Sequence, residues 1–229
     1  MPTTTSHHQE THGARAVAEF GVPAVLFDVT RGALAGVFGE DRIATLPAAA
    51  FPPSAANSEG ARLLRTVGVP TGTLWLREPD EDTGLLPLVQ EVVHVEDFED
   101  VSQGAGAWPV IGWLLNAHLA LDPDSGKVYA FDADEGTARG LHTDVSALVQ
   151  VTVRFQRLLE EFAFSGDDGD EEADFERLER EVERIRQETS RVDPLPFQDD
   201  ETVWAVVGDE IAAGQRFTGD SLGARSLYG

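Results

Sequence analysis

The stretch HLALDPDSGKVYAFDADEG, residues 118–136, holds four aspartates, a glutamate and two glycines. It reads either as a calcium loop or as two strands joined by a tight corner, and the choice fixes the fold. A calcium loop needs oxygen ligands at alternate positions, a central glycine and a bidentate glutamate at position twelve. Counted from Asp122, position twelve is Ala133; counted from Asp132, it is Thr143, so neither frame closes a cage. A hairpin accounts for the same residues. Pro123 presets its backbone angle, Asp and Ser side chains bond local backbone, and Gly126 accepts a positive φ. On either side, HLAL and KVYAF supply strands in which Leu119 and Leu121 face the same way as Val128 and Ala130 or their neighbours. DADEG, 132–136, is then a second turn after the returning strand.

Working outward, AWPVIGWLLNAHLALD (107–122) is too long for one strand, and Gly112 marks a bulge or bend inside it. Trp108 and Trp113 flank that bend and are expected to be core anchors. TLWLRE (73–78) is a strand with Leu74 and Leu76 on one face and Trp75 on the other, and PLVQEVVHVEDF (87–98) offers a second strand over 89–95. ARAVAEFGVPAVLFDV (14–29) is a short helix or turn leading into an extended apolar segment, and GVFGEDRIATLP (36–47) has strand-like stretches punctuated by Gly and Pro. AAAFPPSAAN (48–57) is a linker broken by two prolines. SEGARLLRTVGVP (58–70) is a short helix capped by Ser58 and ended by Gly68 and Pro70.

Downstream, HTDVSALVQVTVRFQRLLEEFAF (142–164) is a helix capped by Thr143 or Asp144, with Leu148, Phe155, Leu158, Leu159 and Phe162 as its apolar stripe. DFERLEREVERIRQETSRV (174–192) is a second, strongly charged helix. Its stripe of Phe175, Leu178, Val182 and Ile185 is narrow, and Glu176–Arg180, Asp174–Arg177 and Glu181–Arg184 are spaced to pair. About three turns are too few to stand alone, so it docks on this domain or on a partner. A Pro-stiffened loop and a last helix through Val203, Val206, Val207 and Ile211 close the pattern. The expected organisation is a polar, disordered tail at 1–13, one domain over 14–214, and a flexible tail at 215–229.

The chain carries 41 acidic and 17 basic residues, a formal net charge of −24. The excess is segmental. Residues 78–100 hold nine acids, 160–176 nine more and 193–210 six, none with a Lys or Arg among them. Removing these 24 leaves 17 acids against 17 bases, so the rest of the chain is neutral. Such a field repels nucleic acid and anionic membrane and steers cationic partners in. It equally serves solubility or growth in high internal salt; one Lys against 16 Arg suits GC-rich coding or a halophile. The absence of cysteine excludes disulfides and thiolate chemistry. The first residues carry no basic-then-apolar secretory pattern, and no window reaches the roughly 20 apolar residues of a membrane helix. A soluble, cytoplasmic protein is expected.

No catalytic constellation emerges. GDSLG (219–223) matches a serine-hydrolase elbow literally, but only six residues follow it and none is a histidine that could serve Ser221. His94, His118 and His142 stand apart, without a second metal ligand two or four residues on, and a structural or surface role is expected for each. No glycine-rich phosphate loop is present. The sequence therefore predicts no enzyme, no metal and no cofactor.

The order of features over VIGWLLNAHLALDPDSGKVYAFDADEGTARGLHTDVSALVQVTVRFQRLL (110–159) resembles the SUKH superfamily, especially the group-four immunity proteins of bacterial polymorphic toxin systems. The matching parts are Ile111 with Gly112, the apolar strand 119–121, the turn 122–126, the returning strand 128–131, the cap at Thr143 and Asp144, and the helix 148–159. Upstream, RIATLP and LLRTVGVP are similar to the family's arginine–proline segment and its short helix. Downstream, VDPLPFQDDETVWAVVGDEIAAG is similar to its closing Asp-Pro loop and tryptophan-containing helix. The likeness covers about residues 36–214. Two features depart from it: the cap usually reads Asn-Ser-Ser and here is His142, Thr143 and Asp144, and the charged helix near 170–191 is longer than the family's usual connection.

The resemblance implies an α+β fold, one mainly antiparallel sheet backed by helices. It also implies a binding role without catalysis: holding and neutralising a cognate toxin domain, often a nuclease or deaminase. A nuclease groove is basic, and carboxylates can stand where phosphates would lie. The acids Asp80, Glu81, Asp82, Glu96, Asp97, Glu99 and Asp100, in loops beside predicted strands, are the expected partner-binding face, with the turn at 167–174 as second choice. The alternatives are a scaffold or regulatory module that keeps the fold without a toxin, a hydrolase using Ser221, and plain halophilic adaptation.

Overall fold

The structure is a computed structural model and describes residues 25–98, 101–165, 171–217 and 223. Its centre is an antiparallel meander of five strands in the order β3-β4-β5-β6-β7. These are β3 (Trp75–Leu76), β4 (Val110–Leu114), β5 (Ala117–Leu121), β6 (Val128–Asp132) and β7 (Thr137–His142). The two aspartate corners make the two hairpins that follow β5 and β6. Asp122 Oδ1 accepts from the Asp124 amide at 3.0 Å, and Asp132 Oδ1 from the Asp134 amide at 3.0 Å. Gly126 and Gly136 take φ of 78° and 62°, which only glycine adopts cheaply. Leu119 pairs with Ala130 and Leu121 with Val128, which settles the register that the sequence left open.

Segment 107–122 divides in two rather than bending once. A bulge falls between Val110 and Gly112, as the glycine suggested. A Cβ on Gly112 would overlap the Trp75 carbonyl oxygen, so glycine lets β3 approach β4 closely. A tight turn at Leu115 and Asn116 then separates β4 from β5, with Leu115 at φ 52°. That turn carries no Gly or Pro, so the sequence pattern did not announce it.

One face of the meander receives the helices. Ile111, Leu114, Leu119, Leu121, Val128 and Leu141 are buried there with α2 (Glu59–Thr66), α4 (Val145–Glu161) and α6 (Val203–Ala212). Ser58 caps α2 by accepting from the Ala61 amide, and Asp144, not Thr143, caps α4 by accepting from Ala147 at 2.9 Å. A two-residue pair, β1 (Ile43–Ala44) with β2 (Val69–Pro70), flanks the helices. The charged helix α5 (Glu171–Ser190) lays Leu178, Val182 and Ile185 into the same core, against α4 and α6. It docks on its own domain.

Two expectations are corrected. Residues 89–95 are not a strand: Val89–Val92 form α3, and Val95–Asp97 a turn of 3₁₀ helix. The Glu91 carboxylate accepts from the Leu88 amide at 2.7 Å and closes the first turn, which puts Val89 and Val93 on one buried side. A short apolar run fits either period, and here the capping bond decides. Upstream, 36–38 ends the helix α1 (Arg31–Phe38), capped by Thr30, rather than beginning a strand. Phe217, in the segment expected as tail, is buried against Phe162 and Phe164.

Candidate functional site

Among the described residues, the second face of the sheet is covered over only part of its width. Residues 88–98 and 101–108 lie across β6 and the adjoining strands. Phe98 packs edge-on against Phe131 with ring centroids 5.5 Å apart, and Trp108 lies on Tyr129 at 4.8 Å. Val89, Val93, Val110 and Ala120 complete this smaller core. Beyond it, among the described residues, the face is exposed at Trp75. Strand register sets Trp75 opposite Trp113, Trp113 opposite His118, and His118 opposite Phe131. Directly opposed residues point to the same side of a sheet, so these four form one row. Phe131 lies under Phe98, whereas Trp75 is 57% exposed and Trp113 and His118 are half-buried. The Arg77 guanidinium lies 6.0 Å from the Trp113 ring centroid. Trp113 was expected in the core with Trp108; only Trp108 is there. The signal for Trp75 was present in TLWLRE, whose alternation set it opposite Leu74 and Leu76.

The predicted acids lie in two loops next to the sheet. Asp80, Glu81 and Asp82 sit in the turn that follows β3, the strand of Trp75, and all three are exposed. Asp80 Oδ1 accepts from the Thr83 amide at 2.9 Å and from the Asp82 amide at 3.1 Å, bonds that hold its pKa below the usual carboxylate range. It shapes the turn. In the second loop, Glu96 and Asp97 are exposed on the 3₁₀ turn immediately before Phe98. Glu99 and Asp100 lie outside the described residues.

Among the described residues, Asp80, Glu81, Asp82, Glu96 and Asp97 form no ion pair. The other acidic segments differ. Asp174 pairs with Arg177, Glu176 with Arg180, and Glu181 and Glu188 with Arg184. Arg139 bridges Asp199 and Glu201, and Arg186 holds Asp209. Four of the eight acids of α5 pair with its own arginines, and Glu171, Glu172, Glu179 and Glu183 are in no ion pair among the described residues. Of the second-choice turn at 167–174, residues 166–170 lie outside the described residues, and Asp174 is buried, bonded to Ser165 and Arg177.

The arrangement most like catalytic machinery is sealed in the core. His142 Nδ1 donates to Asp193 Oδ2 at 3.0 Å, and Trp204 Nε1–H donates to His142 Nε2 at 2.7 Å. His142 and Asp193 are fully buried. Asp193 also accepts from the Thr143 hydroxyl at 2.9 Å and its amide at 3.2 Å. Accepting at Nε2 makes His142 neutral, and burial pushes its pKa down despite the pull of Asp193. The nitrogen a nucleophile would use is occupied by the indole, so this network fastens β7, the Asp-Pro loop and α6 together. Ser221 lies outside the described residues. Among the described residues, no three His, Cys, Asp or Glu side chains converge to hold a metal ion, and no helix is long and apolar enough to cross a membrane.

A cleft of about 450 Å³ opens on the helix-covered face, between the ends of β5–β7 and the start of α6. Ala130, Leu141 and Val206 line it, with Glu135 and Asp200 at its mouth.

An α+β domain with a sealed histidine and, among the described residues, an exposed tryptophan on its sheet has the make-up of a binding protein. The model of the SUKH-4 immunity protein family matches residues 29–210, and the chain belongs to that family. An immunity role, exercised by binding a cognate toxin, comes with that membership. No curated protein and no solved structure matches the chain.

Proposed function

We propose that this protein neutralises a toxin domain with a basic working surface, of the nuclease or deaminase kind, by docking its acid-bordered sheet face against that surface. The observation that carries the proposal is the state of the carboxylates. Glu81, Asp82, Glu96 and Asp97 are exposed and, among the described residues, in no ion pair, while Asp174, Glu176, Glu181 and Glu188 of α5 pair with arginines of the same helix. Carboxylates free of ion pairs in two loops next to the sheet give a directed field, which raises the association rate with a cationic partner. A nucleic-acid substrate would be repelled by the same field, so the partner is a protein that itself binds anions. Glu99 and Asp100 continue the same loop in sequence and belong to the proposal on that ground.

The test is co-expression. The toxin domain encoded beside this chain's gene is induced in a sensitive host with and without the protein. Survival only in its presence, together with loss of the purified domain's activity on nucleic acid when the protein is added, is the expected result. Killing that the protein does not relieve would overturn the proposal.

A further inference from the structure

We infer that Trp75, Trp113 and His118 are the anchor of the docking face, and that its occupant is a protein surface with an apolar centre ringed by Lys and Arg. The inference rests on the immunity reading and adds the residues that hold the complex together.

Trp75 is the most exposed of the large hydrophobic side chains among the described residues, and the one aromatic in that group. An indole left in water forgoes the burial energy that makes tryptophan the commonest hot-spot residue. Trp75 is also held rigidly. Its strand pairs with β4 through the close approach at Gly112, and Arg77 N donates to the Ile111 carbonyl oxygen at 2.9 Å just beyond it. A pre-ordered side chain loses little entropy on binding. Beside Trp113, the row continues to His118, whose Nδ1 is buried and has no hydrogen-bond partner among the described residues. Trp, His and an Arg stacked on the indole, with acids in the loops next to the sheet, have the anatomy of an interface: aromatic centre, charged rim.

Charge selects the occupant. A second copy would set Glu81, Asp82, Glu96 and Asp97 against like charges, and anionic lipid would meet the same repulsion. A surface with Lys and Arg around an apolar knob matches both the centre and the rim.

The experiment measures binding kinetics of the toxin domain encoded beside the gene, inactivated by mutation, against wild type, Trp75→Ala and Trp113→Ala. Because Trp75 is mostly exposed, Trp75→Ala keeps the fold, checked by an unchanged melting temperature; it decides the question even if Trp113→Ala unfolds. The dissociation rate is expected to rise at least tenfold with Trp75→Ala while the association rate changes less than threefold. Tight binding by wild type and Trp75→Ala alike would overturn the anchor and leave the immunity reading intact. No binding by wild type would overturn both. A wild-type dimer in sedimentation that Trp75→Ala dissociates would give the face to a second copy and overturn the inference.

Discussion

The indole N–H of Trp204 donates to Nε2 of His142 at 2.7 Å, and its ring stacks on Phe155 with centroids 5.5 Å apart. One side chain thus closes a polar network and fills an apolar gap. Trp204→Phe keeps most of the packing and removes the donor, leaving a buried nitrogen unbonded. A loss of about 1–3 kcal/mol in urea unfolding is expected. Trp204→Ala adds a cavity and should cost about 3–5 kcal/mol. No loss for Trp204→Phe would show that the hydrogen bond contributes nothing.

The same network sets a pH dependence. Burial lowers the His142 pKa from its ordinary value of about 6.5. The unfolded chain binds a proton below about pH 6.5 that the folded chain refuses, so stability is lost as pH falls through that value. For Asp193, burial raises the pKa, but the bonds from His142 and Thr143 outweigh it and the carboxyl stays low. Its contribution is present above about pH 4 and is lost below. Relief of self-repulsion in so acidic a chain runs the opposite way, so the comparison must be internal. The difference in urea midpoint between wild type and His142→Gln should shrink between pH 7 and 5. Parallel profiles would contradict the assignment.

Gly112→Ala tests whether the setting of Trp75 depends on the close approach of β3. The added methyl would overlap the Trp75 carbonyl oxygen, so β3 must move away from β4. A destabilisation of about 1–3 kcal/mol is expected, with a red shift of tryptophan fluorescence as Trp75 and Trp113 lose their setting. An unshifted spectrum would mean that β3 tolerates the methyl in place.

Reversing Glu81, Asp82, Glu96 and Asp97 to Lys should slow association with the toxin domain at least tenfold at low salt, and leave the dissociation rate within about threefold. Asp80 is excluded from this set because its side chain builds the turn. In wild type the association rate should fall steeply as salt rises, since screening shortens to about 10 Å at 0.1 M. A salt-independent rate would remove the steering role from these acids.

Much of this was legible in the sequence. The aspartate corners, the bulge at Gly112 and the cap of α2 follow from local rules that a few residues satisfy by themselves, whereas the β5–β6 register and the choice of Asp144 over Thr143 as the cap of α4 were settled only by the structure. Helix α3 was not legible, because a run such as Val89 to Val95 suits a strand as well as a helix until the Glu91 capping bond is seen. Nor was the Asp193–His142–Trp204 network: its members are 51 and 62 residues from one another along the chain, and each alone looks ordinary. For the candidate face, sequence placed Trp75 opposite Leu74 and Leu76. It could not show that residues 88–98 and 101–108 would cover Phe131 and leave Trp75 exposed, since that depends on tertiary packing. Sequence charge counts also weighed α5 with the loops, whereas four of its eight acids pair with arginines one turn away.

Hydrogen exchange of this protein, free and bound to the toxin domain encoded beside its gene, reports the docking face in one measurement. Slower exchange on binding is expected over residues 73–82, 94–98 and 110–119, with α5 unchanged. Protection confined to α5, or to the helix-covered side of the sheet, would contradict the account.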